Sequence, residues 1–224
     1  DFSINAIAFS FDQKLIFDPQ EGIKDILHSL LRTNAKKNLI NDPLRILRCF
    51  RFMSELDFDV DVLLINFIRK NKNKLKLVAK ERINYELQRI IRGEKAQKSI
   101  NLIKKFKILS YLEPEKDSIT IKTKKIEFHN FTTSELEKFL PLFYLVQILD
   151  DVSLKKLNAS KSEIVNVKVL RKWLIRLKKT TINQFTEEER FDLHKQLETI
   201  LPSFILFLPN KYQLDWIKRW RDED

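Results

Sequence analysis

The chain has 224 residues, 42 Lys and Arg against 31 Asp and Glu, a formal net charge of +11, two glycines and one cysteine. This length is enough to bury a hydrophobic core in one domain or two small ones. Gly22 and Gly93 are too few for a P-loop or a Rossmann phosphate-binding motif. Cys49 alone excludes a disulfide framework and any zinc site with several cysteines, a usage typical of cytoplasmic proteins. No apolar stretch reaches the roughly 20 residues of a membrane span, so no membrane partner is expected.

Residues 1–33 have the pattern of strands and turns. Residues 4–9 and 14–17 are short β-prone runs. Because two short strands are too few for an independent sheet, we expect them to complete a sheet whose other strands lie outside this chain. The first residue is Asp1 and not a methionine, so we also expect the protein to continue upstream.

From residue 41 onward the apolar residues follow a helical period. Leu44 and Leu47 begin an apolar stripe on a helix for which Asn41 or Asp42 is the expected N-cap. Further helices are predicted at residues 60–71, 82–92, 95–106, 134–149, 161–179, 187–200 and 211–221. A turn after residue 112 and a looser stretch up to residue 131 separate the two helical groups. The fold is therefore predicted to be mainly α, with a short β segment at the N-terminus.

The positive charge is concentrated in one segment. Residues 66–110 contain fourteen basic and three acidic residues, so their local charge equals the net charge of +11 of the whole chain. A basic segment of this kind attracts polyanions and is typical of nucleic-acid binding. Codon bias is the alternative explanation, but it would spread lysines along the whole chain. The concentration therefore favours RNA or DNA as a partner.

Asp42, Arg45, Arg48 and Arg51 follow one another at intervals of three residues. Helical neighbours at this interval lie side by side, so a basic ridge headed by a carboxylate is expected. A weak surface ion pair, or N-capping by Asp42, is the plainer interpretation. The alternative is base recognition, because a carboxylate beside a guanidinium complements the amino donor and ring-nitrogen acceptor of cytosine and adenine but not the reversed order on uracil and guanine.

Four blocks stand in order within residues 1–110. They are Asp1-Phe2-Ser3-Ile4-Asn5-Ala6, Asp18-Pro19-Gln20-Glu21-Gly22-Ile23-Lys24-Asp25, Asn41-Asp42-Pro43-Leu44-Arg45, and Lys80-Glu81-Arg82-Ile83 with Glu86-Leu87. The sequence thereby resembles the class II tRNA nucleotidyltransferases, the family of CCA-adding enzymes, A-adding enzymes and bacterial poly(A) polymerases. Asn41 stands where the family has Glu, and Glu21 stands where the first glycine of a pair is expected. The second block, residues 18–25, corresponds to the segment that links the head and neck domains in the family. Because Glu21 replaces a glycine there, this linker is expected to be stiffer.

The resemblance implies a nucleotide-binding site and a set of supporting residues. The nucleotide-binding residues are Asp42 and Arg45 for the base, Arg48 and Arg51 for the phosphates, and Asp1 and Asn5 for the ribose and the strand end of the pocket. Arg82 and Glu86 would brace the helix that bears Asp42. The RNA-binding residues are expected to be Lys70, Lys72, Lys74, Lys76, Lys104 and Lys105, along the tRNA acceptor stem.

The resemblance also implies an organisation and an activity. Residues 1–33 would end the nucleotidyltransferase head, residues 34–112 would form the helical neck, and residues 113–224 the helical body and tail. The full enzyme would add CMP or AMP from CTP or ATP to a tRNA 3′ end with Mg²⁺. Its metal-binding carboxylates are expected upstream of Asp1, so this chain alone is predicted to hold no metal and to be inactive. The Asp57-x-Asp59-x-Asp61 pattern is expected to be a solvated loop with helix-capping character.

Three alternatives stay open at this point. The first is a poly(A) polymerase of the same family. The second is an RNA-binding module that keeps the neck architecture without catalysis, and the third is a helical protein-interaction domain with an accidental basic face. The sequence does not distinguish CCA, CC-only, A-only and poly(A) addition, and it leaves the oligomeric state undecided.

Overall fold

The computed structural model describes residues 1–33, 35–112, 128 and 130–222. The chain divides into two compact units, Asp1–Tyr111 and Leu112–Asp224. Helices dominate both units, so the prediction of a mainly α fold is confirmed. The predicted turn after residue 112 and most of the looser stretch that follows it lie outside the described residues. The division into head, neck and body stays a prediction.

The N-terminal segment of the first unit holds a β-hairpin. Its elements are a 3-10 helix at Ser3–Asn5, strand β1 (Ala8–Ser10) and the antiparallel strand β2 (Leu15–Phe17). The predicted strand over residues 4–9 is therefore wrong in its first half. Phe2 is buried with its ring edge-on to Phe52 at 5.6 Å, and the chain turns after this anchor instead of extending. The strand predicted at residues 14–17 is confirmed.

Helix α1 (Gly22–Leu27) follows the hairpin and was missed by the sequence analysis. The Asp18 carboxylate accepts hydrogen bonds from two backbone N–H groups of its first turn, at 2.6 and 2.9 Å. Asp25 is buried within this helix and accepts hydrogen bonds from the Ser3 hydroxyl and from Nε of Arg32. Helix α1 is thus fixed to the segment before the hairpin and to the segment after it.

The rest of the first unit is organised around one central helix. Its elements are β3 (Leu30–Leu31), α2 (Lys36–Asn41), α3 (Arg45–Leu56), β4 (Asp59–Val60), α4 (Val62–Asn71), a 3-10 helix at Lys72–Leu77, α5 (Lys80–Arg92) and α6 (Ala96–Lys105). Strands β3 and β4 pair in parallel. Helix α3 packs against both α5 and α6 and buries Leu47, Phe50 and Met53. Gly93 permits this packing, because a Cβ there would lie 2.7 Å from the Ser54 carbonyl oxygen.

The second unit consists of helices within its described residues. They are α7 (Thr133–Ile148), α8 (Asp151–Lys156), α9 (Lys161–Lys179), a 3-10 helix at Ile182–Gln184, α10 (Glu187–Leu197), a 3-10 helix at Glu198–Ile200, α11 (Leu201–Ile205) and α12 (Asn210–Asp222). Capping boxes headed by Thr132, Ser160 and Thr186 start α7, α9 and α10. These local signals explain why the three helices begin within one residue of the predicted position.

Both tryptophans of α12 take part in packing. Trp216 is buried and stacks on His194 with ring centroids 5.1 Å apart. Trp220 contacts Phe139 edge-on at 5.5 Å. Both tryptophans therefore contribute to the packing of the second unit.

All the predicted helices are present, with ends that differ from the prediction by up to three residues. The missed helices α1, α2, α8 and α11 have only five or six residues each, too short for a clear hydrophobic period. Across the described part of the chain, no helix is both long enough and apolar enough to cross a membrane.

Candidate nucleotide and nucleic-acid interface

Five charged side chains meet around the start of α3, and we call them the outer cluster. They are Asp1, Asp42, Arg45, Arg48 and Arg82. A carboxylate oxygen of Asp42 lies 3.7 Å from Nε of Arg45 and 3.6 Å from a terminal nitrogen of Arg82. A carboxylate oxygen of Asp1 lies 2.7 Å from a terminal nitrogen of Arg48. The structure thus brings together five of the residues indicated by the sequence, in two ion-paired sets.

Asp42 is not the N-cap of α3, and that prediction is wrong. The helix begins at Arg45 with Leu44 in the N-cap position, and no side chain caps it. Helix α2 runs to Asn41, so residues 42–44 are needed to redirect the chain, and the Asp42 carbonyl accepts from the Arg45 N–H at 3.1 Å. The Asp42 carboxylate therefore faces the two arginines.

The outer cluster is half-buried and accessible. The side chains of Asp42 and Arg45 are 30% and 26% exposed, and that of Arg48 is 30% exposed. The Nε atoms of Arg45 and Arg48 are buried and have no hydrogen-bond acceptor among the described residues. Partial burial strengthens electrostatic interactions. The arginines of the outer cluster would therefore bind a polar ligand more strongly than fully exposed arginines would.

A second set of four residues, the inner cluster, lies deeper between α3 and α5. Its members are Arg51, Glu55, Glu86 and Arg89. One terminal nitrogen of Arg51 donates to both carboxylate oxygens of Glu86 at 3.1 Å, and both side chains are less than 10% exposed. Glu55 lies 3.6 Å from Arg51 and 2.7 Å from Arg89.

The burial of Arg51 corrects the sequence analysis, which expected this residue to meet nucleotide phosphates. With 3.6 residues per turn, each step of three residues moves the side chain back by about 60° around the helix. Arg51 is two such steps from Arg45, so it lies about 120° away and faces the core. Its guanidinium is committed to Glu86 and Glu55 and is not presented to a ligand.

Burial also determines the protonation of Glu86. Desolvation raises the pKa of its carboxyl, although Arg51, Arg48 and Arg89 oppose that rise. Desolvation is the largest influence on this carboxyl, and the neighbouring Glu55 carboxylate also raises its pKa.

The two predicted supporting residues connect α5 to the segment just before α3 and to α3 itself. Arg82 contacts Asp42, and Glu86 contacts Arg51. The sequence analysis missed Glu55 and Arg89, although the spacing of Glu55 four residues after Arg51 was a usable signal.

Asn5 was predicted to belong to the nucleotide site, but it is not a member of the outer cluster. It ends the 3-10 helix Ser3–Asn5 and is exposed. Within the described part of the chain, no hydrogen bond or ion pair joins it to the outer cluster.

A second feature, the basic groove, lies where the last turns of α4 and α6 come together. The groove has a volume of about 570 Å³, and its lining residues are Asn66, Arg69, Lys70, Lys72, Lys105, Phe106 and Lys107. Five of them are cationic and none is acidic. The structure therefore concentrates part of the basic segment into one concave surface.

The six lysines predicted to bind RNA are not all in this groove. Lys70, Lys72 and Lys105 line it, whereas Lys74, Lys76 and Lys104 do not. Lys104 is partly desolvated, which lowers the pKa of its ammonium group. Arg69, Phe106 and Lys107 were not singled out, because only the tertiary structure shows that α4 and α6 end side by side.

The acidic pattern after α3 was expected to be a loop, but Asp59 begins strand β4, which pairs with β3. The Asp61 carboxylate accepts from the backbone N–H of Leu64 at 3.0 Å and caps α4, as expected. Lys98 lies 2.8 Å from Asp59 and 3.5 Å from Asp57. No group of three or more His, Cys, Asp or Glu side chains suited to a metal ion occurs in the described ranges.

Comparison with protein families matches residues 57–119 to a family model described as the probable RNA- and SrmB-binding site of polymerase A. CCA-adding enzymes of Staphylococcus aureus strains MRSA252 and Newman are each 36% identical to this chain over 114 residues. The matched region is 50% of this chain and 28% of each relative. The sequence match therefore spans less than a third of the relatives' length.

Solved structures share the fold over the whole chain. A Thermotoga maritima CCA-adding enzyme complexed with tRNA superposes with a TM-score of 0.73 and 20% identity, covering 100% of this chain and 58% of that protein. A Bacillus stearothermophilus CCA-adding enzyme in complex with CTP gives a TM-score of 0.65 at 22% identity, covering 100% of this chain and 57% of that one. This chain thus corresponds to a little over half of a fold of that kind.

Proposed function

We propose that this chain, which belongs to the class II CCA-adding enzyme and poly(A) polymerase family, supplies the base-selecting and RNA-holding part of a tRNA 3′-end nucleotidyltransferase. In the complete protein it would help to add CMP and AMP from CTP and ATP to tRNA. The observation that carries the proposal is the accessible Asp42–Arg45 pair, 3.7 Å apart, in a chain homologous to CCA-adding enzymes.

The pair would read the base by its hydrogen-bonding pattern. The Asp42 carboxylate would accept from the exocyclic amino group of cytosine or adenine, and Arg45 would donate to the adjacent ring nitrogen. Uracil and guanine present the reverse order, so their binding would leave the carboxylate facing an acceptor. Unpaired groups in a half-buried site are costly, and this cost would provide the discrimination.

The other members of the outer cluster would serve the rest of the nucleotide. Arg48 is the arginine placed to neutralise phosphates, since its side chain is 30% exposed. Asp1 would hold Arg48 in position and, with Asn5, face the ribose. Arg82 would position Asp42. Arg51, which was predicted to bind phosphates, is instead assigned a structural role with Glu86.

The basic segment would hold the RNA. The family model matched by residues 57–119 is described as a probable RNA-binding site, and the basic groove lies within that range. A concave surface with five cations and no acidic lining residue suits a phosphate backbone.

The metal-binding carboxylates that catalysis requires would lie outside the described residues. Mg²⁺ would provide charge stabilisation for nucleotidyl transfer in the complete protein, on ligands outside the described residues. We therefore expect this chain alone to bind RNA and nucleotide without turnover.

Poly(A) addition is the second candidate, because the matched family model is named for polymerase A. The two candidates differ in their use of CTP. A complete enzyme that incorporates both CMP and AMP at a tRNA end would support the first, and one that incorporates only AMP in long tracts would support the second.

The proposal is tested by titrating the chain with tRNA at increasing salt concentration and measuring fluorescence anisotropy. We expect the logarithm of the association constant to fall linearly with the logarithm of salt concentration, by about 0.9 for each phosphate contact on duplex regions. Parallel titrations with the four nucleoside triphosphates should show tighter binding of CTP and ATP than of UTP and GTP. Failure to bind tRNA, or an affinity that is insensitive to salt, would contradict the RNA-holding role.

A further inference from the structure

We propose that Phe106 is a positioning residue that gathers the cations of the basic groove into a binding site for consecutive backbone phosphates of RNA. This inference rests on the proposed function and assigns the RNA contact to one place in the first unit. The ring of Phe106 is not proposed to stack on a base. Its role is to hold charged side chains where a polyanion can reach them.

Phe106 makes contact with three cations of the groove. The guanidinium carbon of Arg69 lies 4.9 Å from the centre of the Phe106 ring, and Nζ of Lys105 lies 5.6 Å from it. Nζ of Lys72 donates to the Phe106 backbone carbonyl at 2.8 Å. The residue thus engages one cation from the end of α4, one from the end of α6 and one from the 3-10 helix between them.

These interactions explain how like charges can stay together without acidic partners in the groove lining. The negative face of an aromatic ring attracts cations, and the carbonyl groups at helix C-termini do the same. Neither carries a full negative charge, so the groove keeps a net positive charge that is available to a ligand. Carboxylates in the same place would have neutralised it.

The occupant that fits is a nucleic-acid backbone and not a base. Arg69 and Lys105 already lie near the Phe106 ring, so the groove presents cations, which suit phosphates better than bases. Lys70 and Lys107 are exposed lining residues that extend the positive surface of the groove. A groove of about 570 Å³ with five cations is larger than one phosphate needs and suits two or more successive phosphates.

The test compares three groups of variants of the chain for tRNA binding across a salt series. Phe106→Leu removes the ring but keeps an apolar side chain, and Phe106→Tyr restores an aromatic face. Lys70→Gln combined with Lys107→Gln removes two groove cations. Lys24→Gln, an exposed lysine on α1 outside the matched family region, is the control for the removal of a surface charge. Thermal unfolding of every variant checks that the chain still folds.

We expect Phe106→Leu to weaken binding about two- to fivefold for each cation–π interaction that it removes, with little change in the salt slope, because the number of cations is unchanged. Phe106→Tyr should bind like the original chain. The double lysine variant should reduce the salt slope by nearly 2, at about 0.9 for each phosphate that is no longer neutralised. Lys24→Gln should change neither quantity.

Two results would overturn the inference while leaving the proposed function standing. One is tRNA binding by the original chain with Phe106→Leu and the double lysine variant both indistinguishable from Lys24→Gln. The other is competition by inorganic triphosphate as effective as that by tRNA, which would make a small polyphosphate the occupant. Absence of tRNA binding by the original chain would instead refute the proposed function itself.

Discussion

The outer and inner clusters both pair arginines of α3 with carboxylates, yet they have different environments. Arg45 is about a quarter exposed and faces Asp42 at 3.7 Å, whereas Arg51 is buried against Glu86 at 3.1 Å. The difference arises from the drift of a three-residue interval around a helix. It shows that a regular row of arginines can begin on an accessible surface and end as a buried structural link between helices.

The largest expected effect is on the inner cluster. Arg51→Ala would leave Glu86 buried without its main partner, so we expect a loss of roughly 3–5 kcal/mol in the free energy of unfolding, measured by urea denaturation. Replacing both residues, Arg51→Met with Glu86→Leu, removes the buried charges together and should cost much less. Equal losses for the single and double variants would contradict the assignment of Arg51 to a buried ion pair.

The matching substitution in the outer cluster should affect stability much less. Arg82 is 57% exposed and lies 3.6 Å from Asp42, so Arg82→Ala should change the free energy of unfolding by no more than about 1 kcal/mol. The same urea series measures it. A loss as large as that of Arg51→Ala would mean that the outer cluster is also part of the structural core.

The pH dependence of stability provides a smaller test. Burial raises the pKa of Glu86, so the folded chain retains a proton that the unfolded chain has already released. The contribution of the Glu86 carboxyl to the free energy of unfolding is therefore fully present below its unfolded pKa of about 4.3. This contribution is lost as the pH rises through the higher pKa of the folded state. Glu86→Gln should remove this decline. An unchanged profile in that variant would contradict the raised pKa.

Glu135 in the second unit should behave in the opposite way, with the smallest effect. Its pKa is lowered, first by the hydrogen bond from Arg221 and also by hydrogen bonds with Thr132. The Glu135 carboxylate therefore stabilises the folded chain above its unfolded pKa. This stabilisation is lost as the pH falls through the lower pKa of the folded state. Glu135→Gln should therefore reduce the acid sensitivity of the second unit, followed by the fluorescence of its tryptophans. A steeper acid transition in this variant would be inconsistent with that sign.

Local sequence signals were sufficient for the long helices and for the pair at the site. A continuous helical period predicted α9 at its observed ends, and the structure shows that Ser160 caps its start. The spacing of Asp42 and Arg45 correctly predicted that they would be neighbours, although the N-cap role of Asp42 was wrong because α2 was missed. Local rules fail where a residue's environment depends on which helix packs against it.

The inner cluster and the basic groove are the clearest cases of that dependence. Arg51 is buried only because α5 brings Glu86 to it, and no local pattern specifies this pairing. Likewise, Arg69 and Phe106 are far apart in sequence and meet because α4 and α6 end side by side. The basic composition of residues 66–110 indicated a nucleic-acid partner, but it could not identify which cations converge.

The central claim is that Asp42 and Arg45 read the base, and incorporation by the full-length protein tests it most directly. Rates for CTP, ATP, UTP and GTP at a tRNA 3′ end would be compared for the original protein, Arg45→Ala and the matched control Arg92→Ala, an exposed arginine on α5. We predict that Arg45→Ala reduces the preference for CTP and ATP over UTP and GTP by roughly 10- to 100-fold, the value of a bidentate base contact, while Arg92→Ala retains it. An Arg45→Ala protein that keeps the original preference would contradict the account.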